Sequence, residues 1–245
     1  MRVVDPLKLI SLNIEGSKHL DRIIPFLQSE RPDVICLQEV FEKDLVEFST
    51  QLAMECVFAP YGKVTTPNRY NIPNNGPWGV ALLTKKTPDT VETHYYKGAG
   101  DMPEFSTPTS VDRVLLTVQI SHQGCAYPIA TTHFTWSSGG EPSEEQRQDL
   151  DALLSCLEQY PDLVLCGDLN APRGGEIFDM FLQQFHDYLP SEITTTIDKD
   201  LHYAGDLQLV VDALLCKGTY SAQNVRVVGG MSDHMAVVGE IAPTL

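Results

Sequence analysis

Apolar and polar positions alternate along the chain between two spacings. Residues 7–14 read as a strand. Residues 17–30 place Leu20, Ile23, Ile24 and Leu27 on one face of a helix, with Pro25 predicting a kink or a late start. Residues 33–40 form a nearly continuous apolar run, as a buried strand does. Leu45, Phe48 and Leu52 predict a second helix. Four further strands are predicted at 79–84, 91–96, 111–121 and 127–134. The clearest helix spans 143–160: Ser143 and Gln146 make a capping-box pattern, and Leu150, Leu153, Leu154 and Leu157 share a face. Then come a strand at 163–166, a helix at 175–185, and strands at 207–216, 225–228 and 236–241. Residues 61–78 and 97–110, rich in Pro, Gly and Asn, read as irregular loops near a site. Many strands with few helices, not strictly alternating, predict two packed sheets covered by helices.

Composition narrows the class. The 245 residues are 42% hydrophobic and 20% charged, ordinary for a globular protein with a sizeable core. No repeat or linker divides the chain, so one domain over 1–245 is expected. No run approaches the roughly 18 apolar residues of a membrane span. The six cysteines have no zinc-type spacing and no export signal precedes them, which predicts reduced thiols and a cytoplasmic protein. With 17 basic and 33 acidic residues the net charge is −16, against a general duplex binder, whose affinity rests on Lys and Arg neutralising phosphates.

The chemistry sits where apolar strands meet polar residues. Successive strand ends or starts carry Asn13 and Glu15; Gln38 and Glu39; His133; Asp168 and Asn170; Asp212; and Ser232, Asp233 and His234. One carboxylate after a strand more often caps a turn than binds anything, and one histidine is more often a satisfied core residue. Six such ends in one chain point instead to a shared rim. Oxygen-rich clusters suit Mg²⁺ or Mn²⁺, and imidazoles beside them suit a charged phosphoryl group.

Taken in order, Ser-Leu-Asn13-Ile-Glu15-Gly, Leu-Gln-Glu39, Thr-His133-Phe, Gly-Asp168-Leu-Asn170, Val-Asp212-Ala-Leu and Ser-Asp233-His234 resemble the motifs of the endonuclease/exonuclease/phosphatase superfamily. The resemblance implies a four-layer α/β sandwich, two mixed sheets face to face with helices outside. It also implies Glu39 as the main metal ligand, with Asn13, Glu15 and Asp233 completing or supporting the site. The family often has Asp where Glu15 stands. Asp168 would deprotonate the attacking water, Asn170 would hold a phosphoryl oxygen, Asp212 would orient His234, and His234 and His133 would donate to the phosphoryl group. His133, where apurinic-site repair enzymes usually carry Tyr, leans away from that branch.

Trp136, Arg113 and Arg173 are expected to contact substrate, with Trp78, His202 and Tyr203 as weaker candidates. The expected activity is metal-dependent phosphoester hydrolysis by a monomer, foremost on DNA or RNA or a DNA end. The alternative is a small-molecule or lipid-headgroup phosphatase on the same scaffold, and a remote one is a non-catalytic binding module.

Overall fold

The computed structural model describes residues 4–64, 72–73 and 75–244. Twelve strands among them form two six-stranded mixed sheets. The first sheet contains β1 (Leu7–Asn13), β2 (Val34–Phe41), β3 (Glu55–Val64), β4 (Gly76–Thr84), β11 (Tyr220–Val228) and β12 (Ala236–Pro243), in the order β11-β12-β1-β2-β4-β3. The second contains β5 (Thr90–Lys97), β6 (Arg113–His122), β7 (Cys125–His133), β8 (Leu163–Asp168), β9 (His186–Asp187) and β10 (Asp212–Lys217), in the order β5-β6-β7-β8-β10-β9.

Three apolar layers hold this arrangement. Leu9, Cys36, Val80, Leu116, Ile129 and Cys166 belong to the core between the sheets. Helices α1 (Leu20–Glu30) and α2 (Leu45–Leu52) cover the first sheet through Ile23, Leu27 and Phe48, packed with Ile10, Leu12 and Ile35. Helices α3 (Glu144–Leu157) and α4 (Glu176–Phe181) cover the second through Leu150, Leu153 and Phe178, packed with Ala130, Leu165 and Leu215. The result is the expected four-layer α/β sandwich.

The elements differ from the sequence reading where non-local pairing decides. No strand is expected over 55–60 and 61–64 is expected to be irregular, yet Glu55–Val64 is one strand, interrupted by Pro60 and Gly62. It lies at the sheet edge, where a proline leaves no ladder bond unmade. Its last residues, 61–64, therefore leave the segment expected to be irregular, as do residues 76–78 of β4. The rest of that segment at 65–71, together with 74, lies outside the described residues. The strand expected from 207 starts only at Asp212, because Leu207, Leu209 and Val210 belong to a loop. Helix α1 starts late, at Leu20, and retains Pro25. No described helix is long and apolar enough to cross a membrane.

Candidate active site

Parallel pairing brings the polar strand ends to one rim. β1 and β2 run parallel with Asn13 opposite Gln38. β7 and β8 run parallel with His133 opposite Asp168, and β10 places Asp212 on the other side of Asp168. Thus His133, Asp168 and Asp212 come from three neighbouring strands at one level. His234, just before β12, is bridged to Ile197 and completes the group from the facing sheet. The glycine before Asp168 has a packing reason: a Cβ on Gly167 would lie 2.0 Å from the Thr132 carbonyl.

Asp168 is the hub. Its Oδ1 accepts from the Asn170 amide at 2.8 Å and its Oδ2 from Asn13 Nδ2 at 3.0 Å. The same Oδ2 lies 3.5 Å from His133 Nε2 and 3.7 Å from His234 Nε2. Asn13 Nδ2 also reaches Glu39 Oε1 at 3.3 Å, and His133 Nε2 lies 3.9 Å from that oxygen. Asp233 accepts from Ser232 Oγ at 3.1 Å. Glu15 pairs with Lys18, and with His19 Nε2 at 3.2 Å; its main-chain amide donates to Asn13 Oδ1. Asn170 Nδ2 donates to the Phe134 carbonyl at 3.1 Å.

The rim is strained. Among non-glycine residues in the left-handed region, Arg31 and Ala53 end helices and Gln123 lies in a hairpin turn. Glu15 (φ 50°), Glu39 (φ 59°) and Asn170 (φ 47°) instead sit among the site residues. Each costs about 1–3 kcal/mol unless its surroundings enforce it. At Glu39 the enforcement is visible: the register of β2 against β4 shifts between Leu37 and Val40, a bulge that re-aims the side chain.

The two imidazoles have opposite surroundings. His234 Nδ1 donates to Asp212 Oδ2 at 2.8 Å. Burial would lower its pKa, but Asp212 and Asp168 outweigh burial and hold it well above its ordinary value. His133 shares Asp168 but has no carboxylate on Nδ1; there it meets the Tyr61 hydroxyl at 3.3 Å. Burial pulls it down to about 3, against the attraction of Asp168. The surroundings thus favour a second proton on His234 and oppose one on His133.

The carboxylates are buried beside one another. Burial pushes Glu39 up to about 8, and Asp233 adds to the rise; burial also raises Asp233. Oxygen donors crowded this way suit a hard divalent ion. Asp168, Asp212 and His234 also offer ligand atoms within 4.8 Å of one another. In that set His234 already gives Nδ1 to Asp212, which leaves only Nε2, 3.7 Å from Asp168 Oδ2, to act as a ligand. Glu39, Asp233 and the Asn13 amide could hold the ion.

The expected substrate residues fall apart. Arg113 is a correction: it is 2% exposed, and its guanidinium donates inward to the His133 carbonyl at 3.1 Å and the Pro108 carbonyl at 2.6 Å. Arg173 is similarly committed, to Asp187 at 2.8 Å and to the Leu189 and Pro190 carbonyls. Trp78 is buried among Phe41, Tyr61 and Phe105. Trp136 is 37% exposed and Tyr203 87% exposed. His202, half-buried beside Tyr203, is close enough to feel the charges of His234, Glu15 and Asp168. Sequence reasoning passed over Tyr61 and also Thr196, whose buried hydroxyl accepts from the Val211 and Asp212 amides at 3.0 and 3.1 Å. Neither stands at a strand end, so neither carries a signal in the chain pattern.

This fold and rim define a class. Residues 10–234 match the Endonuclease/Exonuclease/phosphatase family, and the chain belongs to it, as a hydrolase of phosphoester bonds. Enzymes of this family generally use divalent metals. Among particular proteins, the chain is 28% identical over 167 residues to Nocturnin of Drosophila melanogaster. That match covers 66% of this chain and 25% of Nocturnin, so the chain spans about a quarter of that relative's length. The human Nocturnin catalytic domain with bound sulfate superposes with a TM-score of 0.77 at 19% identity, covering 100% of this chain and 97% of that domain. ANGEL2, a 2′,3′-cyclic phosphatase in complex with adenosine-2′,3′-vanadate, superposes with a TM-score of 0.73 at 13% identity, covering 99% and 97%. These two likenesses are likenesses of fold.

Proposed function

We propose that the chain is a single catalytic domain that hydrolyses a nucleotide-type phosphoester, at the end of a nucleic acid or in a free nucleotide, with Mg²⁺ or Mn²⁺. The observation that carries this reading is the convergence on Asp168. Asp168 lies 3.5 and 3.7 Å from the two imidazoles, and Asn13 ties it by hydrogen bonds to Glu39. In-line attack on phosphorus needs this equipment: a positioned water, and cover for the equatorial oxygens.

Glu39, Asn13 and Asp233, with Glu15 in support, would hold the metal, which when bound would supply positive charge to the phosphoryl group. Asp168 orients a water and takes its proton. His234, oriented by Asp212, donates from Nε2 to the phosphoryl group as negative charge builds. His133 donates from its own Nε2 as a neutral ring. Asn170, whose amide spends one hydrogen on the Phe134 carbonyl, has a second for a phosphoryl oxygen.

A long duplex is the poorer substrate. The net charge is −16, and Arg113 and Arg173, the cations expected at the rim, are consumed by protein acceptors. The same observation favours the second reading, a small-molecule phosphatase. ANGEL2 acts on a 2′,3′-cyclic phosphate, and that substrate type is the one we carry over for testing first. Trp136 would stack on the base.

The experiment is a hydrolysis panel with and without chelator, on wild type and Asp168→Asn. It includes adenosine-2′,3′-cyclic phosphate, single- and double-stranded oligonucleotides of DNA and RNA, a 5′-tyrosyl DNA end, a sugar phosphate and a lipid-headgroup phosphodiester. Chelator-sensitive cleavage of a nucleotide or an end, lost in Asp168→Asn, supports the reading. Cleavage of the sugar or headgroup ester alone moves the substrate to the second reading. No cleavage of any ester in Mg²⁺ or Mn²⁺ overturns both.

A further inference from the structure

Tyr61 is wholly buried, and packing alone does not account for its hydroxyl. The ring stands edge-on to Trp78 at 5.2 Å and to His133 at 5.8 Å, contacts a phenylalanine would make equally well. The oxygen is different. A hydroxyl buried without a partner costs free energy, and this one meets His133 Nδ1 at 3.3 Å. The Glu39 backbone approaches the same oxygen. The direction of the side chain is built into the sheet: the register of β3 against β4 shifts between Pro60 and Gly62, so Tyr61 sits on a bulge. Bulges re-aim side chains, and here two of them, at Tyr61 and at Glu39, point at one place.

Hydrogen-bond logic then fixes the ring. His133 Nε2 faces Asp168 Oδ2 at 3.5 Å and Glu39 Oε1 at 3.9 Å, both acceptors. Both oxygens already accept from Asn13 Nδ2, at 3.0 and 3.3 Å, so they act as acceptors even when Glu39 holds a proton on its other oxygen, and Nε2 carries the ring proton. A neutral ring has one N–H, which leaves Nδ1 as an acceptor, and the Tyr61 O–H is its donor. A carboxylate in that place, such as Asp212 beside His234, would demand a proton on Nδ1 instead. Arg113 closes the frame. It donates to the His133 carbonyl, and its guanidinium lies 5.8 Å from the centre of the Tyr61 ring.

We propose that Tyr61 is a positioning residue: its hydroxyl donates to His133 Nδ1, locks the ring in the Nε2–H tautomer and aims that N–H at the gap between Glu39 and Asp168. This rests on the donor role given to His133 above. It makes Tyr61 the counterpart of Asp212, with a neutral donor in place of an anion.

The test is Tyr61→Phe, which keeps the ring and removes one oxygen. In metal-free protein labelled with nitrogen-15 at histidine, two-bond nitrogen–proton correlations at pH 7 report the tautomer of each ring. His133→Gln identifies the His133 signals by their loss. The expected wild-type spectrum has His133 protonated on Nε2 alone, and Tyr61→Phe moves it to a mixture of tautomers. With the best substrate of the panel, kcat falls about tenfold to a hundredfold, as on loss of a bond that fixes a functional imidazole. KM changes less than about threefold, since the ring still binds substrate but donates less well. A wild-type ring protonated on Nδ1 overturns the proposal even if the variant fails to fold. A tautomer unchanged in folded Tyr61→Phe overturns it too. If the wild type cleaves nothing while its tautomer is Nε2–H and released by Tyr61→Phe, the positioning bond is supported and the proposed function is what fails.

Discussion

The rim of the sandwich and the layer formed by α3 on the second sheet obey opposite rules. Helix α3 opens with a closed capping box, the Gln146 amide donating to Ser143 Oγ at 3.1 Å, and buries Leu150, Leu153 and Leu157 completely. Local propensity, capping and packing agree there. At the rim, two glutamates and an asparagine hold left-handed backbone, and burial drives a carboxyl up to about 8. Local rules are kept in the helical layer and broken at the rim, as they are at sites that serve function rather than stability. The rim thus carries unfavourable free energy that the packed layers offset.

Mutations at the two places should dissociate activity from stability. Asp212→Asn keeps the shape beside His234 but removes the charge. Hydrolysis should fall about 10³- to 10⁴-fold, as when an imidazole loses the anion that orients it, and a steady-state assay checks this. Glu39→Gln should reduce kcat about a thousandfold, the worth of several kcal/mol of charge stabilisation at the phosphoryl group. Yet it should raise the melting temperature of metal-free protein, because a buried carboxylate facing Asp233 and Asp168 is gone. Leu153→Ala should do the reverse: unfolding free energy falls by about 2–5 kcal/mol in a denaturant titration, while kcat per folded molecule stays within about twofold. Ser143→Ala should cost about 1 kcal/mol with no change in kcat.

The sign of the pH dependence follows from the same contrast. Glu39 rises on folding from 4.5 to about 8, so the folded chain holds a proton the unfolded chain has released. Stability of metal-free protein should therefore fall as pH rises through that window. His234 and Asp233, also raised, act in the same direction. His133, lowered from 6.5 to about 3, acts oppositely, and only below pH 6.5. Between pH 6.5 and 8 the net slope should be downward, and thermal unfolding across that range checks it.

Much of this was legible in the chain because the site is made of strand ends. An apolar run that stops at Asn13, His133 or Asp168 states both that a strand is buried and that its end faces something polar. Parallel pairing then puts such ends at one level. What stayed hidden depends on a neighbour's register. Glu55–Val64 is broken by Pro60 and Gly62, and only its place at the sheet edge makes them tolerable. Tyr61 points into the site because of a bulge against β4, a fact of pairing and not of order along the chain. Arg113 looked free because its acceptors, the carbonyls of Pro108 and His133, come from a loop and from another strand.

The most direct test of the central claim is the melting temperature of wild type and Glu39→Gln at pH 7.5, titrated with Mn²⁺. Metal-free wild type should melt lower than Glu39→Gln, and Mn²⁺ should raise the wild type in a saturable way while leaving the variant unmoved. A wild type indifferent to Mn²⁺, or a Glu39→Gln variant stabilised by it to the same extent, would contradict the claim that this carboxylate cluster is built around a cation.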